Sequence, residues 1–259
     1  MASNSESGHV KNVANFESLM LVISGFGGVY NPSNASITLE RLSILAKNAS
    51  DSLNLVNSVS GKKSLAIAAR AEAIKPLSKL TTRILNALRS SGCSAQIVDS
   101  AQSLVRKIQG QRATPKLTEE QKTALSAEGN VKKEVSSSQM SFDNRIDSFD
   151  KLIQLLIGIS QYTPNETELQ VATLTNYYNT LKTLNNEAGA VETELSNARL
   201  SRNEILYRPG TGLVDTATAA KMYIKSLFEA TSPRYKQVSG LAFTSIPKNK
   251  IPNEVLLTD

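Results

Sequence analysis

At 259 residues, 40% hydrophobic and 20% charged, the chain is long enough to bury one large core or two of ordinary size. Aromatics make up 5% and Trp is absent, while thirteen Gly and eight Pro are too few to turn a many-stranded sheet, so composition favours packed helices. A net charge of +6 admits an anionic partner, but acidic residues are mixed among the Lys and Arg throughout, and the single cysteine, Cys93, excludes an intramolecular disulfide.

The first ten residues are polar, without the apolar stretch of a signal peptide. Nowhere does an apolar run approach the roughly 18 residues that span a bilayer. The expectation is a cytoplasmic protein.

The first helix is written in Val13, Phe16, Met20 and Ile23, which step by three, four and three along one face. It reaches Gly25, and Tyr30 and Pro32 follow as a Tyr-x-Pro turn. Ser33 or Asn34 can cap the next helix, whose stripe runs through Ile37, Leu39, Leu42, Leu45, Ala49, Leu53 and Val56. Gly61-Lys62-Lys63 predicts a break. A third helix carries Leu65, Ala69 and Ala73, is interrupted at Pro76, and resumes through Leu77, Leu80, Ile84, Leu85 and Leu88. Ser94 caps a short final helix through Ile97, Ala101, Leu104 and Ile108.

Residues 110–131 read as a polar connector, with a loop at Thr114-Pro115 and a capping box from Thr118 to Gln121. Beyond it the same phrases return. Ile146, Phe149, Ile153 and Leu156 repeat the step, on a helix traced back through Phe142 and Val135 to near Lys132. Phe149 and Gly158 lie 133 positions after Phe16 and Gly25, and Tyr162 and Pro164 repeat the turn. Asn165 with Glu168 predicts an N-cap and its partner. Leu169, Val171, Leu174, Tyr178, Leu181, Ala188 and Leu195 extend the second stripe, with Gly189 near the matching break. Val191, Ala198 and Ile205 lead to Pro209, 133 positions after Pro76, in a Pro-Gly-Thr-Gly turn. Leu213, Ala217, Ala220, Tyr223, Ile224 and Leu227 follow, and Ser232 before Pro233 opens a last helix with Tyr235, Val238 and Leu241.

Helical spacing alone recurs by chance; matched Gly, Tyr-x-Pro, Pro and Ser landmarks in one order do not. The expected fold is all-α, with two tandem antiparallel four-helix-bundle-like repeats joined by a polar connector. The expected blocks are 1–109, 110–131, 132–244 and an extended arm at 245–259.

Residues that carry chemistry are sparse. His9 is the single histidine and reads as a helix-start residue, since a triad or zinc site needs partners the sequence lacks. Cys93 sits in a Ser-Gly-Cys-Ser turn and reads as a small turn residue, with Thr231 in its place in the second copy. The glycines at 25–28 and 210–212 follow no strand and lack a Lys-Ser/Thr ending, so they are no phosphate loop. Asp143, Asp147 and Asp150 share a helical face that Arg145 and Lys151 offset. Arg70 with Glu72 and Arg202 with Glu204 recur before each proline and suggest ion pairs that fix the architecture.

No enzyme, metal site or cofactor is expected. The leading expectation is a helical binding or structural protein that meets a protein partner or itself. One alternative is a membrane-active protein using the apolar segments 19–29 and 152–159. Another is electrostatic nucleic-acid binding through Arg106, Lys107, Arg112 and Lys116, which have no aromatics among them to stack bases.

Overall fold

The computed structural model describes residues 5–111 and 141–245, and every regular element among them is helical. Helix α1 spans Ser5–Gly25, α2 Leu39–Ile74, α3 Leu77–Ser90 and α4 Ala95–Gln109. After the connector come α5 (Phe142–Ile157), α6 (Val171–Tyr207), α7 (Leu213–Phe228) and α8 (Pro233–Ser239). The capping box at Thr118 and the arm beyond residue 245 lie outside the described residues.

Several helix ends fall where local chemistry puts them. Gly25 ends α1, and Gly158 caps α5, its N–H donating to Leu155 and Leu156 carbonyls. The Ser232 hydroxyl accepts from the Tyr235 N–H at 3.1 Å, ahead of Pro233. Asn34 caps a short 3-10 turn at Ala35–Ile37.

Three expectations need correction. The second stripe does not break at Gly61 or Gly189: α2 and α6 run unbroken through them. The reason lies in a seven-residue spacing of buried positions, Leu42, Ala49 and Val56 in α2 and Leu174, Leu181, Ala188, Leu195 and Arg202 in α6. A glycine on the exposed side of such a stripe costs the helix about 1 kcal/mol and does not stop it. Helix α5 starts at Phe142 and not near Lys132, because Ser141 has extended backbone and its hydroxyl accepts from the Asn144 N–H. Asn165 caps nothing, since the 3-10 turn there is Thr167–Leu169 and α6 begins only at Val171.

The chain divides into two compact units, and they do not coincide with the expected blocks. One, here the split unit, takes Met1–Lys63 with Val191–Asp259; the other, the continuous unit, takes Ser64–Ala190. In the split unit α7 packs on α1, on α8 and on the turn at Ala35–Ile37, and α1 also meets α8. In the continuous unit α4 packs on α3 and α5, and α3 meets the turn at Thr167–Leu169. Each unit therefore combines the first half of one expected repeat with the second half of the other.

Within the split unit α2 and α6 run antiparallel: Val56 and Val59 pack with Leu195 and Ala198, Lys62 pairs with Glu194 and Lys63 with Glu192. The split unit's main core holds Val13, Phe16, Leu19 and Ile23 of α1 against Leu213, Ala217, Ala220 and Ile224 of α7. The continuous unit's core holds Phe149, Leu152, Ile153 and Leu156 of α5 against Leu77, Ile84 and Leu88 of α3 and Val105 and Ile108 of α4. Of the residues central to the apolar segments, Leu19, Ile23, Leu152, Ile153 and Leu156 are buried and Met20 half-buried.

Candidate functional site

The Tyr-x-Pro turns are built alike. Tyr30 donates its hydroxyl to the Ile37 carbonyl at 2.7 Å, and Tyr162 donates to Leu169 at 2.9 Å, each reaching seven residues ahead. Both rings are buried, and Pro32 and Pro164 are half-buried beside them. Burial pushes each hydroxyl up to about 12, with Tyr223 adding to the effect on Tyr30 and Glu166 to that on Tyr162. The bond ties the start of each long helix to the turn that precedes it.

What surrounds the two tyrosines differs. In the continuous unit Glu168, in the turn, forms an ion pair with Arg83 of α3. A cleft opens on either side of that pair, and Arg83 lines both. The first, about 570 Å³, is polar and is lined by Asn86, Ser90 and Ser91 of α3 and its end and by Gln161, Asn165 and Glu166 of the turn. The second, about 510 Å³, is apolar at its base, where Pro76, Leu80, Leu174 and Tyr177 meet, with Lys79 beside Arg83 on its rim. Tyr177 is held firmly: its hydroxyl donates to the Ala73 carbonyl at 2.6 Å and its ring meets Phe149 edge-on at 5.7 Å. Burial pushes that hydroxyl up, and Arg145 partly offsets the push.

Helices α3 and α7 align from their first residues, Leu77 and Leu213, with Thr81, Ile84 and Leu88 buried as are Ala217, Ala220 and Ile224. On that alignment Tyr223 stands where α3 has Ala87, and its ring meets Tyr30 edge-on at 5.2 Å. Ala219 stands for Arg83 and Asp215 for Lys79, while Ser36 stands for Glu168 in the turn. The aromatic ring packs over the anchor tyrosine in one unit; the small alanine leaves the cleft open in the other.

The sequence-singled residues fall elsewhere. His9 is 3% exposed and its Nδ1 lies 2.6 Å from the Tyr207 hydroxyl. It helps join α1 to the end of α6, as does Asn12, which donates to Tyr207 and to the Thr244 carbonyl. The Cys93 sulfur sits 2.8 Å from the Ser91 hydroxyl and donates to the Leu88 carbonyl at the end of α3. Asp143 accepts from Asn185, Asp147 pairs with Lys151 and Asp150 accepts from Gln154. Among the described residues no cluster of His, Cys, Asp and Glu could hold a metal ion. Arg106 and Lys107 occupy the last turn of α4, and Arg112 and Lys116 lie outside the described residues.

The recurring arginine–glutamate pairs are not ion pairs. Residues two apart point to different sides of a helix, so Glu72 pairs with Lys75 and Glu204 with Arg208. Arg70 lies 4.0 Å over the Phe142 ring and donates to the Asn185 amide oxygen, while its Nε has no partner. Arg202 is 3% exposed and its guanidinium donates to Asn203. Pro76 and Pro209 both separate helices, the second through a longer turn with Gly210 in the left-handed region. Sequence reasoning passed over Arg83 and spent Glu168 on a cap; the mismatch of Ala87 with Tyr223 was the available signal.

No protein family matches the chain, and comparison with curated proteins and with solved structures yields no match. Among the described residues no helix is long and apolar enough to cross a membrane.

Proposed function

We propose that the chain is a non-enzymatic helical binding protein built from two copies of one ancestral sequence. In this reading both copies keep the same anchors while only the continuous unit keeps an open recognition site. The support for duplication is the pair of tyrosine bonds with identical reach, the matched burial in α3 and α7, and the exchange of halves between units. The observation that carries the binding role is the pair of clefts beside Arg83, the polar one lined by Ala87 where Tyr223 packs on Tyr30 in the other unit. Around Arg83 there are amides, hydroxyls, an ion pair and apolar side chains, and no serine or cysteine among the described residues there stands beside a histidine. Lipid insertion is the weaker reading, because Leu19, Ile23, Leu152, Ile153 and Leu156 are buried in the two cores, although Leu21, Val29 and Ile157 are exposed.

Site-specific photo-crosslinking in the native cell tests this. A photoreactive residue in place of Asn86 is expected to capture one defined protein, a partner or a second copy of the chain. The same residue at the exposed counterpart Met222 is expected to capture none. Equal capture from both positions, or none from Asn86, overturns the proposal.

A further inference from the structure

We infer that the paired clefts recognise an acidic peptide segment, with its carboxylate on the Lys79–Arg83 rim and an aliphatic or aromatic side chain in the apolar cleft. The inference rests on the binding reading above and adds the chemistry of the ligand.

The charge argument comes first. Lys79 and Arg83 stand one turn apart on α3 and so share a face. Glu168 pairs with Arg83, and no ion pair among the described residues takes Lys79, whose charge stays available on the rim. Both cations and the glutamate are exposed, so they are free to exchange partners with a ligand at little desolvation cost. The counterpart positions carry Asp215, Ala219 and Ser36, so this basic rim belongs to the unit with the open clefts.

The shape argument explains why a peptide fits better than a small amphiphile. The apolar cleft, floored by Leu80, Leu174 and Tyr177, offers a seat for one side chain. A fatty acid would fill that seat and leave the adjoining polar cleft unused. That cleft presents the side chains of Asn86, Ser90, Gln161 and Asn165, groups that both donate and accept as a peptide backbone requires. Arg83 stands on the boundary of the two, so a chain crossing it meets the anchor, the cation and the amides in sequence. Glu166 lies at the polar end, which places the ligand's negative charge at the other end, by Lys79.

The test pans a random heptapeptide phage library against the full chain, then measures the best peptide, fluorescein-labelled, by anisotropy. Selected peptides are expected to pair Asp or Glu with a nearby Leu, Ile, Phe or Met, and to bind more weakly as sodium chloride is raised. Arg83→Ala is expected to weaken binding about tenfold or more, as a central arginine anchor does. Ala87→Tyr, which copies the occupied counterpart, is expected to abolish binding, and Ala219→Arg to change nothing. Arg83 is half-exposed, so its loss leaves the fold intact, and an unchanged melting curve verifies that. The inference is overturned if no peptide is enriched, if enriched peptides lack acidic residues, or if Arg83→Ala binds equally well. It is also overturned if sodium dodecanoate binds at Arg83 and the peptides do not. A peptide that binds elsewhere on the chain sinks this inference while leaving the broader binding role standing.

Discussion

The turns at Tyr30 and Tyr162 share an anchor and differ in what lies over it. Each tyrosine makes the same hydrogen bond, yet Tyr223 packs on one ring while Ala87 leaves space by the other. Two turns built on the same anchor can differ in the side chains that pack over it. The invariant features are backbone-directed, a hydroxyl to a carbonyl and a proline in the turn. The variable ones are side chains on a helix face, which change without disturbing that framework.

The largest test of equivalence between the units is core truncation. Phe16 and Phe149 are both fully buried, so Phe16→Ala and Phe149→Ala should each cost about 3–5 kcal/mol, and Ile153→Ala about 2–5 kcal/mol. Urea denaturation measures this. A small loss at one phenylalanine and a large loss at the other would show that the cores are not equivalent. Next, Gly212→Ala should cost about 1–3 kcal/mol, because the new methyl would sit 2.6 Å from the Arg208 nitrogen with no room to move. At the shorter break before Pro76, Lys75→Ala removes only an exposed ion pair with Glu72 and should change melting little.

The tyrosine anchors come third. Tyr30→Phe and Tyr162→Phe should each cost about 1 kcal/mol at neutral pH, and by similar amounts. The pH dependence follows from their raised titration. The folded state holds each hydroxyl proton more tightly than the unfolded chain, whose tyrosines titrate near 10. Their stabilisation is therefore complete below pH 10 and is lost as pH climbs through about 12. Alkaline melting curves should become flatter in either Phe variant, and a wild-type slope in both variants would remove the tyrosines as its cause. The smallest effect is a gain. Gly61→Ala and Gly189→Ala meet no neighbouring atoms and should each stabilise by about 0.5–1 kcal/mol, since both lie inside continuous helices. A loss at either would restore the break that the sequence suggested.

Much of the helical plan was legible in the residues. Gly25, Gly158, the two prolines and Ser232 act over a few residues, and local chemistry is what a sequence displays. The glycines at 61 and 189 misled because a breaker's weight depends on whether the stripe beyond it finds a partner. The exchange of halves was not legible at all: periodicity says which face of α1 is buried but not that α7, nearly two hundred residues later, covers it. The clefts were hidden for a related reason. A void is a property of side chains from several elements at once, and Ala87 gains meaning only beside Gln161 and Asn165.

The division of the chain has a consequence during synthesis. The continuous unit is contiguous in sequence, ending at Ala190, whereas the split unit joins segments from both sides of it. Helix α1 is made well before its covering helix α7, which begins only at Leu213. At ordinary translation speeds of about 5–20 residues per second, Val13, Phe16, Leu19 and Ile23 stay uncovered for roughly 10–40 s. In that interval the uncovered face of α1 is a substrate for chaperones, and α7 is the helix that releases it.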